Sequence, residues 1–310
     1  MPTPHLPVVL LIGATAVGKD EVALPLAESL DAEIVSVDSI KVYRGMDIGT
    51  AKPGSEERRR VPHHLLDLAE PWESYSVGRF LEDADRAVTD IRVRGRRPLL
   101  VGGSGLYLRA FLEGLVSGPA ADPDVRRDLT ERAIREGLAA LHAELARVDP
   151  AAAARIHPND RKRIVRALEV HALTGEPITA RQIHAGRRRA PQDVLLFGVT
   201  RPRAELQARA CARVDALFAA GLVDEVRRLL AGPRGIGPQA SEAIGYRELI
   251  EALRAGTPLD AAREAIQRDT CRFIKRQETW FRRFPDTRWF TLGSPVAAAA
   301  AIRDQASRPA

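Results

Sequence analysis

Cysteine is nearly missing from this chain: two in 310 residues, Cys211 and Cys271, with no CxxC pair and no His/Cys cluster. That excludes a disulfide scaffold and a structural zinc site, and it fits a reducing compartment. Long apolar runs are missing too. The longest early one, Pro7 to Ile12, is far below the about 20 residues of a membrane span. No basic segment precedes it and no small-residue cleavage site follows, so it does not read as a secretory signal. No internal repeat is present, which argues against a solenoid. A soluble cytoplasmic protein with no membrane partner is expected. Lysine is scarce as well: Lys19, Lys41, Lys52, Lys162 and Lys275 are the only lysines among 47 Lys+Arg residues.

What is present is an ordinary globular composition, 45% hydrophobic, with ample length for a core. The net charge is +6 and the arginine excess is large. Arginine presents the better fork to phosphate. Codon usage also favours arginine in some genomes, so the excess permits a polyanionic partner without requiring one.

Val8 to Ile12 is a continuous β-branched run, the pattern of a strand buried on both faces. A turn-rich segment follows, then helical spacing from Lys19 to Leu30, then a second strand over Glu33–Val37. This is the size of a βαβ unit. Pro98–Val101 and Val194–Val199 are two more buried-strand candidates. Residues from about 115 to 192 show helical periodicity only. Helices are expected over Asp124–Arg147 and Asp160–Leu173, the latter started by Pro158-Asn159-Asp160 and stopped by Gly175. Further helices are expected over Ala204–Leu230, Ser241–Arg254 and Leu259–Arg282, and a weak alanine-rich one after Ser294. The fold class is α/β, a P-loop NTPase-like parallel-sheet core with an inserted all-helical subdomain. The expected organisation is residues 1–114 and 193–310 for the core and 115–192 for the insert.

Gly13-Ala14-Thr15-Ala16-Val17-Gly18-Lys19 matches GxxxxGK between a strand and a helix, the context that the motif requires. Its glycines let backbone amides turn toward phosphate oxygens, and the helix N-terminus adds its dipole. The next residue should carry a hydroxyl and is Asp20. A carboxylate can hold Mg²⁺ but cannot donate to a phosphate, and it repels one. Asp20 is therefore either a direct metal contact, a handicap to diphosphate binding, or a helix-start acid facing solvent.

Ligands of open parallel sheets bind beyond the carboxyl ends of the strands. The phosphate loop, Asp38-Ser39, Gly102-Gly103-Ser104-Gly105 and Thr200-Arg201 all fall there. An acid, a hydroxyl and a phosphate cradle at one rim suit group transfer. Ile34 to Asp38 is the nearest match to a Walker-B strand, so a kinase or NTPase stays open at this point.

Longer blocks are more telling. Asp38-Ser-Ile-Lys-Val-Tyr43 runs on to Lys52-Pro53. Then come Val61–Asp67, Val101–Tyr107, Asp122–Arg126, Ile156–Val170, Ile244–Glu248 and Lys275–Arg282. These seven ordered blocks resemble the tRNA dimethylallyltransferase (tRNA isopentenyltransferase) family over about residues 8–290. The resemblance implies transfer of a dimethylallyl group from dimethylallyl diphosphate to N6 of the adenosine 3′ of the anticodon. It implies that Gly13–Asp20 and Arg213 hold the diphosphate. Lys19, Asp38 and Ser104 would be catalytic, with Asp38 accepting the amine proton. The anticodon stem-loop would meet Asp38, Ser39, Ile40, Lys41, Ser104, Arg126, Lys162, Arg163, Ile164, Val165, Arg166 and Arg247. The target base must leave its stack to be reached. Arg181, Arg187, Arg188 and Arg189 form a further acid-free basic patch.

This sequence departs from the family at three positions. Asp20 replaces Ser/Thr, Ser104 replaces Thr, and Lys41 stands where many members have an uncharged residue. No Cys/His finger follows the core, as in the short bacterial type. Mg²⁺ is the expected cofactor, with Asp20 as its ligand, and a monomer is expected. The rival readings are an adenine-nucleotide prenyltransferase, a P-loop small-molecule kinase, and a tRNA-binding relative weakened by Asp20.

Overall fold

A computed structural model describes residues 6–114, 119, 121–183 and 189–307. The sheet has six parallel strands: β1 (Val8–Ile12), β2 (Ala32–Val37), β3 (His63–His64), β4 (Arg97–Gly102), β5 (Val194–Thr200) and β6 (Arg288–Thr291), in the order β3-β2-β4-β1-β5-β6. β1 lies between β4 and β5, with Val9 opposite Leu99 on one side and Leu195 on the other. All five residues of β1 are buried, as its unbroken apolar run requires.

The four strands expected from the sequence are present. The two edge strands carried no comparable signal: β3 has two residues, and three of the four residues of β6 are exposed. Three long helices expected from periodicity are each divided at a glycine with positive φ. Gly137 (φ 86) separates Pro123–Glu136 from Leu138–Val148. Gly221 (φ 97) comes between Arg203–Ala219 and Leu222–Ala231. Gly245 (φ 96) follows Pro238–Ser241 and caps Tyr246–Ala255. Hydrophobic periodicity continues across such breaks, whereas the backbone does not. The helices Val77–Val93 and Gly105–Glu113 were not anticipated. The alanine-rich segment does form a helix, Pro295–Ala306, packed on Lys19–Leu30.

The chain divides into two compact units, residues 1–111 with 189–310, and residues 112–188. The first holds the sheet. In the second, the described elements are all helical, and Leu129, Leu141, Leu145, Ile164 and Leu168 form its core. Among the described residues, no helix is long and apolar enough to cross a membrane.

Candidate active site

The Gly13–Lys19 loop leaves β1 and enters the helix Lys19–Leu30 through Gly18, which is left-handed at φ 100. Ala16 is left-handed too, at φ 62. A Cβ on Gly13 would lie 2.7 Å from the Val199 carbonyl oxygen, so only glycine fits against β5. The loop is braced from outside. Arg201 Nε donates to Val17 O at 2.8 Å, and Arg209 Nε donates to Ala16 O at 3.0 Å. Two of the loop's carbonyls are thereby held by fixed guanidinium groups. Lys19 Nζ folds back to donate to Ala14 O at 2.8 Å.

Gln277, buried on the helix Leu259–Phe281, ties this loop to the next one. Its Oε1 accepts from Thr15 N at 2.8 Å, and its Nε2 donates to Gly103 O at 3.0 Å. The close fit explains the glycines there. A Cβ on Gly102 would meet Val37 O at 2.1 Å, and one on Gly103 would meet Gln277 Nε2 at 2.4 Å. Asp38 leaves β2 in an Asx turn, with Oδ1 accepting from Ile40 N at 2.8 Å and Lys41 N at 3.2 Å. Ser104 Oγ accepts from Ser39 N at 3.3 Å, which joins the acid turn to the hydroxyl loop.

These elements open on one cavity of about 970 Å³. Thr15, Ala16, Gly18, Lys19, Asp20, Asp38, Ser39, Ile40, Lys41, Ser104, Arg213 and Arg247 all line it, so most of the residues singled out from the sequence meet there. Gly13, Ala14 and Val17 form the buried back of the loop. Burial pushes the Lys19 ammonium down to about 8, against the partial support of Asp20 and Asp38 and with Lys41 and Arg213 adding repulsion. Asp20 is 60% exposed yet sits within the recess. Desolvation opposes its ionisation, but Lys41, Lys19 and Arg213 outweigh it and hold the carboxyl below the ordinary aspartate range. Arg247 reaches Asp269 at 2.7 Å and Glu248 at 2.5 Å. Burial works against its charge, and the two carboxylates raise its pKa all the same.

A second buried acid shapes the rim. Glu225 accepts from the amides of Asp47, Ile48 and Gly49 and from Tyr246 Oη at 2.5 Å. Lys52, 2% exposed, bridges Asp47 and Asp67 at 2.7 and 2.6 Å. Glu225, Gln277, Arg201 and Arg209 were not chosen as site residues from the sequence. Their partners lie far away along the chain, and only Arg201 and Gln277 had any positional signal, one at a strand end and one inside a recognised block.

Mg²⁺ is usually held by one or two carboxylates together with substrate phosphates. Among the described residues no group of three or more His, Cys, Asp or Glu side chains could hold a metal. Asp20 Oδ2 already accepts from Lys41 Nζ at 3.3 Å, so a cation here would have Oδ1 as its protein ligand and phosphate oxygens for the rest.

In the helical unit the arginines separate into two kinds. Arg126 grips Glu169 through Nε and Nη2 at 2.9 and 3.1 Å, and Arg166 reaches the same carboxylate at 2.6 Å. Glu169 is fully buried and also accepts from Asp122 N. Its neighbours overcome desolvation and hold its carboxyl below the usual glutamate range. Lys162 and Arg163 are exposed at the start of Arg161–Thr174, and Arg163 lies 3.3 Å from Asp160. Ile164 and Val165, which the resemblance placed among RNA contacts, are instead 0% and 7% exposed. Their side chains pack into the core of this unit and have almost no surface to offer RNA. Arg189 belongs to no acid-free patch: it pairs with Asp85 and stacks 3.8 Å from the Phe111 ring centroid. Arg187, Arg188 and the Arg181 side chain lie outside the described residues.

The profile of the IPP transferase family matches residues 41–284, and that of the isopentenyl transferase family matches residues 6–68. The chain is 50% identical to the tRNA dimethylallyltransferase of Geobacter metallireducens over 281 residues, 91% of each chain. It is similar in structure to the full-length tRNA isopentenylpyrophosphate transferase of Bacillus halodurans, with a TM-score of 0.70 and 40% identity over 97% of this chain and 95% of the other. A eukaryotic dimethylallyltransferase acting on tRNA matches with a TM-score of 0.76 and 26% identity, over 92% of this chain and 73% of that one.

Proposed function

The chain belongs to the tRNA dimethylallyltransferase (IPP transferase) family, and from that membership we propose that it transfers a dimethylallyl group from dimethylallyl diphosphate to N6 of the adenosine 3′ of the tRNA anticodon. The observation that carries this reading is one cavity shared by a phosphate-type loop, the Asp38 carboxylate and the Ser104 hydroxyl.

The adenine N6 nitrogen attacks C1 of the dimethylallyl group. The C1–O bond breaks and its electron pair leaves on the diphosphate. An exocyclic amine is a weak nucleophile, so a carboxylate that takes its proton assists the attack. Asp38 does this through Oδ2, because Oδ1 is occupied by two backbone amides. Ser104 holds the reacting end of the cavity through its hydroxyl. Lys19, Arg213 and the loop amides stabilise the diphosphate as its charge develops. Asp20 Oδ1, the oxygen that Lys41 does not take, would hold Mg²⁺, which supplies further positive charge to the leaving group when bound.

Lys162 and Arg163 offer exposed charge to the RNA backbone. Arg126 and Arg166 shape the same helical unit through Glu169. The protein acts as a monomer in the cytoplasm, where tRNA is found. The test is direct: incubate the purified protein with unmodified tRNA and dimethylallyl diphosphate, and analyse the nucleosides by mass spectrometry. N6-dimethylallyladenosine is expected beside the anticodon. Its absence while tRNA still binds would overturn the catalytic reading.

A further inference from the structure

In a GxxxxGK loop, the next residue ordinarily offers a hydroxyl to the phosphate or to its cation. Asp20 offers a carboxylate, which repels a diphosphate. That repulsion has a counterweight in the structure. Lys41, from the turn after β2, places Nζ 3.3 Å from Asp20 Oδ2. The Lys41 side chain is only 13% exposed and lines the cavity, so its ammonium is held inside the recess. Its backbone is fixed as well, since Lys41 N donates to Asp38 Oδ1 at 3.2 Å. The recess thus sets the cations Lys19, Lys41 and Arg213 against the acids Asp20 and Asp38. A solvent-exposed ion pair contributes little to stability, and the Lys41 side of this pair is withdrawn from solvent beside the phosphate loop. A sheltered ammonium beside a phosphate loop has a different use.

We propose that Asp20 and Lys41 act as one unit at the diphosphate end of the cavity: Asp20 anchors the Lys41 ammonium, and that ammonium makes the contact that the missing hydroxyl would make. Lys41 is thereby a diphosphate-binding residue rather than an RNA contact. Its ammonium donates to a diphosphate oxygen, while the paired Asp20 carboxylate no longer faces the ligand uncompensated. This rests on the diphosphate reading of the Gly13–Lys19 loop.

The test is calorimetric titration of the full chain with inorganic pyrophosphate, without divalent cations, across Asp20→Thr, Lys41→Gln and the double variant. Lys41→Gln should weaken binding roughly tenfold, because Asp20 then stands unpaired. The double variant should recover most of that loss, and Lys41→Arg should stay within about threefold of the parent. Affinity of Lys41→Gln for tRNA should be unchanged across salt concentrations. Thermal melts identify any variant that fails to fold, and in that case Lys41→Arg against Asp20→Asn carries the comparison. Single effects that simply multiply in the double variant would overturn the pairing. So would a Lys41→Gln that loses tRNA and keeps pyrophosphate. Lys19→Ala separates the two levels. If it keeps pyrophosphate, the diphosphate reading of the loop falls, and the pairing with it. If it loses pyrophosphate while the cycle is multiplicative, only the pairing falls.

Discussion

The cations of the cavity and those around Glu169 in the helical unit are used in opposite ways. In the helical unit, Arg126 and Arg166 converge on the buried Glu169, and their charge is matched within the protein. In the cavity, Lys19, Lys41 and Arg213 outnumber the nearby acids, and burial pushes Lys19 down to about 8. A charge matched by a buried acid holds a fold together, whereas desolvated positive charge in excess of its acids is poised for an anion. The total of +6 distinguishes neither use.

The largest effect that would break this comparison is at Lys19. Lys19→Ala should lower kcat about a thousandfold and abolish measurable pyrophosphate binding. The same variant should not be less stable. Lys19 has a folded pKa below its ordinary value of 10.5, so the folded state is penalised for carrying the charge. That penalty is full below about pH 8 and fades as pH rises toward 10.5. Lys19→Met should therefore stabilise the protein near neutral pH by roughly 2 kcal/mol, after allowing for solvent screening. For the parent protein, pyrophosphate affinity should fall as pH rises through about 8, where the ammonium is lost. Titrations between pH 7 and 9.5, paired with denaturant melts, would check both signs. A Lys19→Met protein that melts earlier would place Lys19 with the structural cations.

Gln277 comes next, because it positions the loop without touching phosphate by charge. Gln277→Leu leaves Thr15 N and Gly103 O without their partner. A displaced loop should cost about a hundredfold in kcat/KM. Gln277→Glu keeps an acceptor for Thr15 N and should recover part of it. A melt that falls with no change in the kinetic constants would reduce Gln277 to a packing residue.

For the helical unit the expected change is in stability. Glu169→Ala leaves two arginines and the Asp122 amide without their shared acceptor. The arginines are partly exposed, so the cost should be about 2–3 kcal/mol, read as a lower denaturant midpoint. Pyrophosphate binding should be unchanged, because none of these residues lines the cavity.

The legibility of these features in the sequence follows their range. β1 was readable because a strand buried on both faces prints an unbroken apolar run, and β2, β4 and β5 because each keeps a short stretch rich in Val, Leu or Ile. The phosphate loop was readable because its glycines, lysine and flanking elements are contiguous. β6 was not, since an edge strand with exposed residues leaves no pattern. The breaks at Gly137, Gly221 and Gly245 depend on φ, and glycine is tolerated inside helical patterns often enough to hide them. Gln277 and Glu225 act across 174 or more residues of chain, or through backbone amides, and neither leaves a local mark. The helical insert was visible as a change in periodicity. The division of its arginines into matched and exposed was invisible, because Glu169 reads as one more helix acid until Arg126 is seen beside it.

The smallest effect separates two neighbouring arginines on one helix. Arg163 is 68% exposed and lies 3.3 Å from Asp160, whereas Arg166 is held by Glu169 and by the Pro119 carbonyl. Arg163→Gln should weaken tRNA binding a few-fold and reduce the slope of log affinity against log salt by about 0.7–0.9, the signature of one lost phosphate contact. It should leave the melt unchanged. Arg166→Gln should do the reverse, lowering the melt while the salt slope holds, because the lost partner is Glu169 rather than RNA. Equal salt slopes for the two variants, both below the parent, would mean that Arg166 can release its carboxylate to a phosphate. Internal matching of charge would then be a resting arrangement of the helical unit, and the contrast with the cavity would be one of degree.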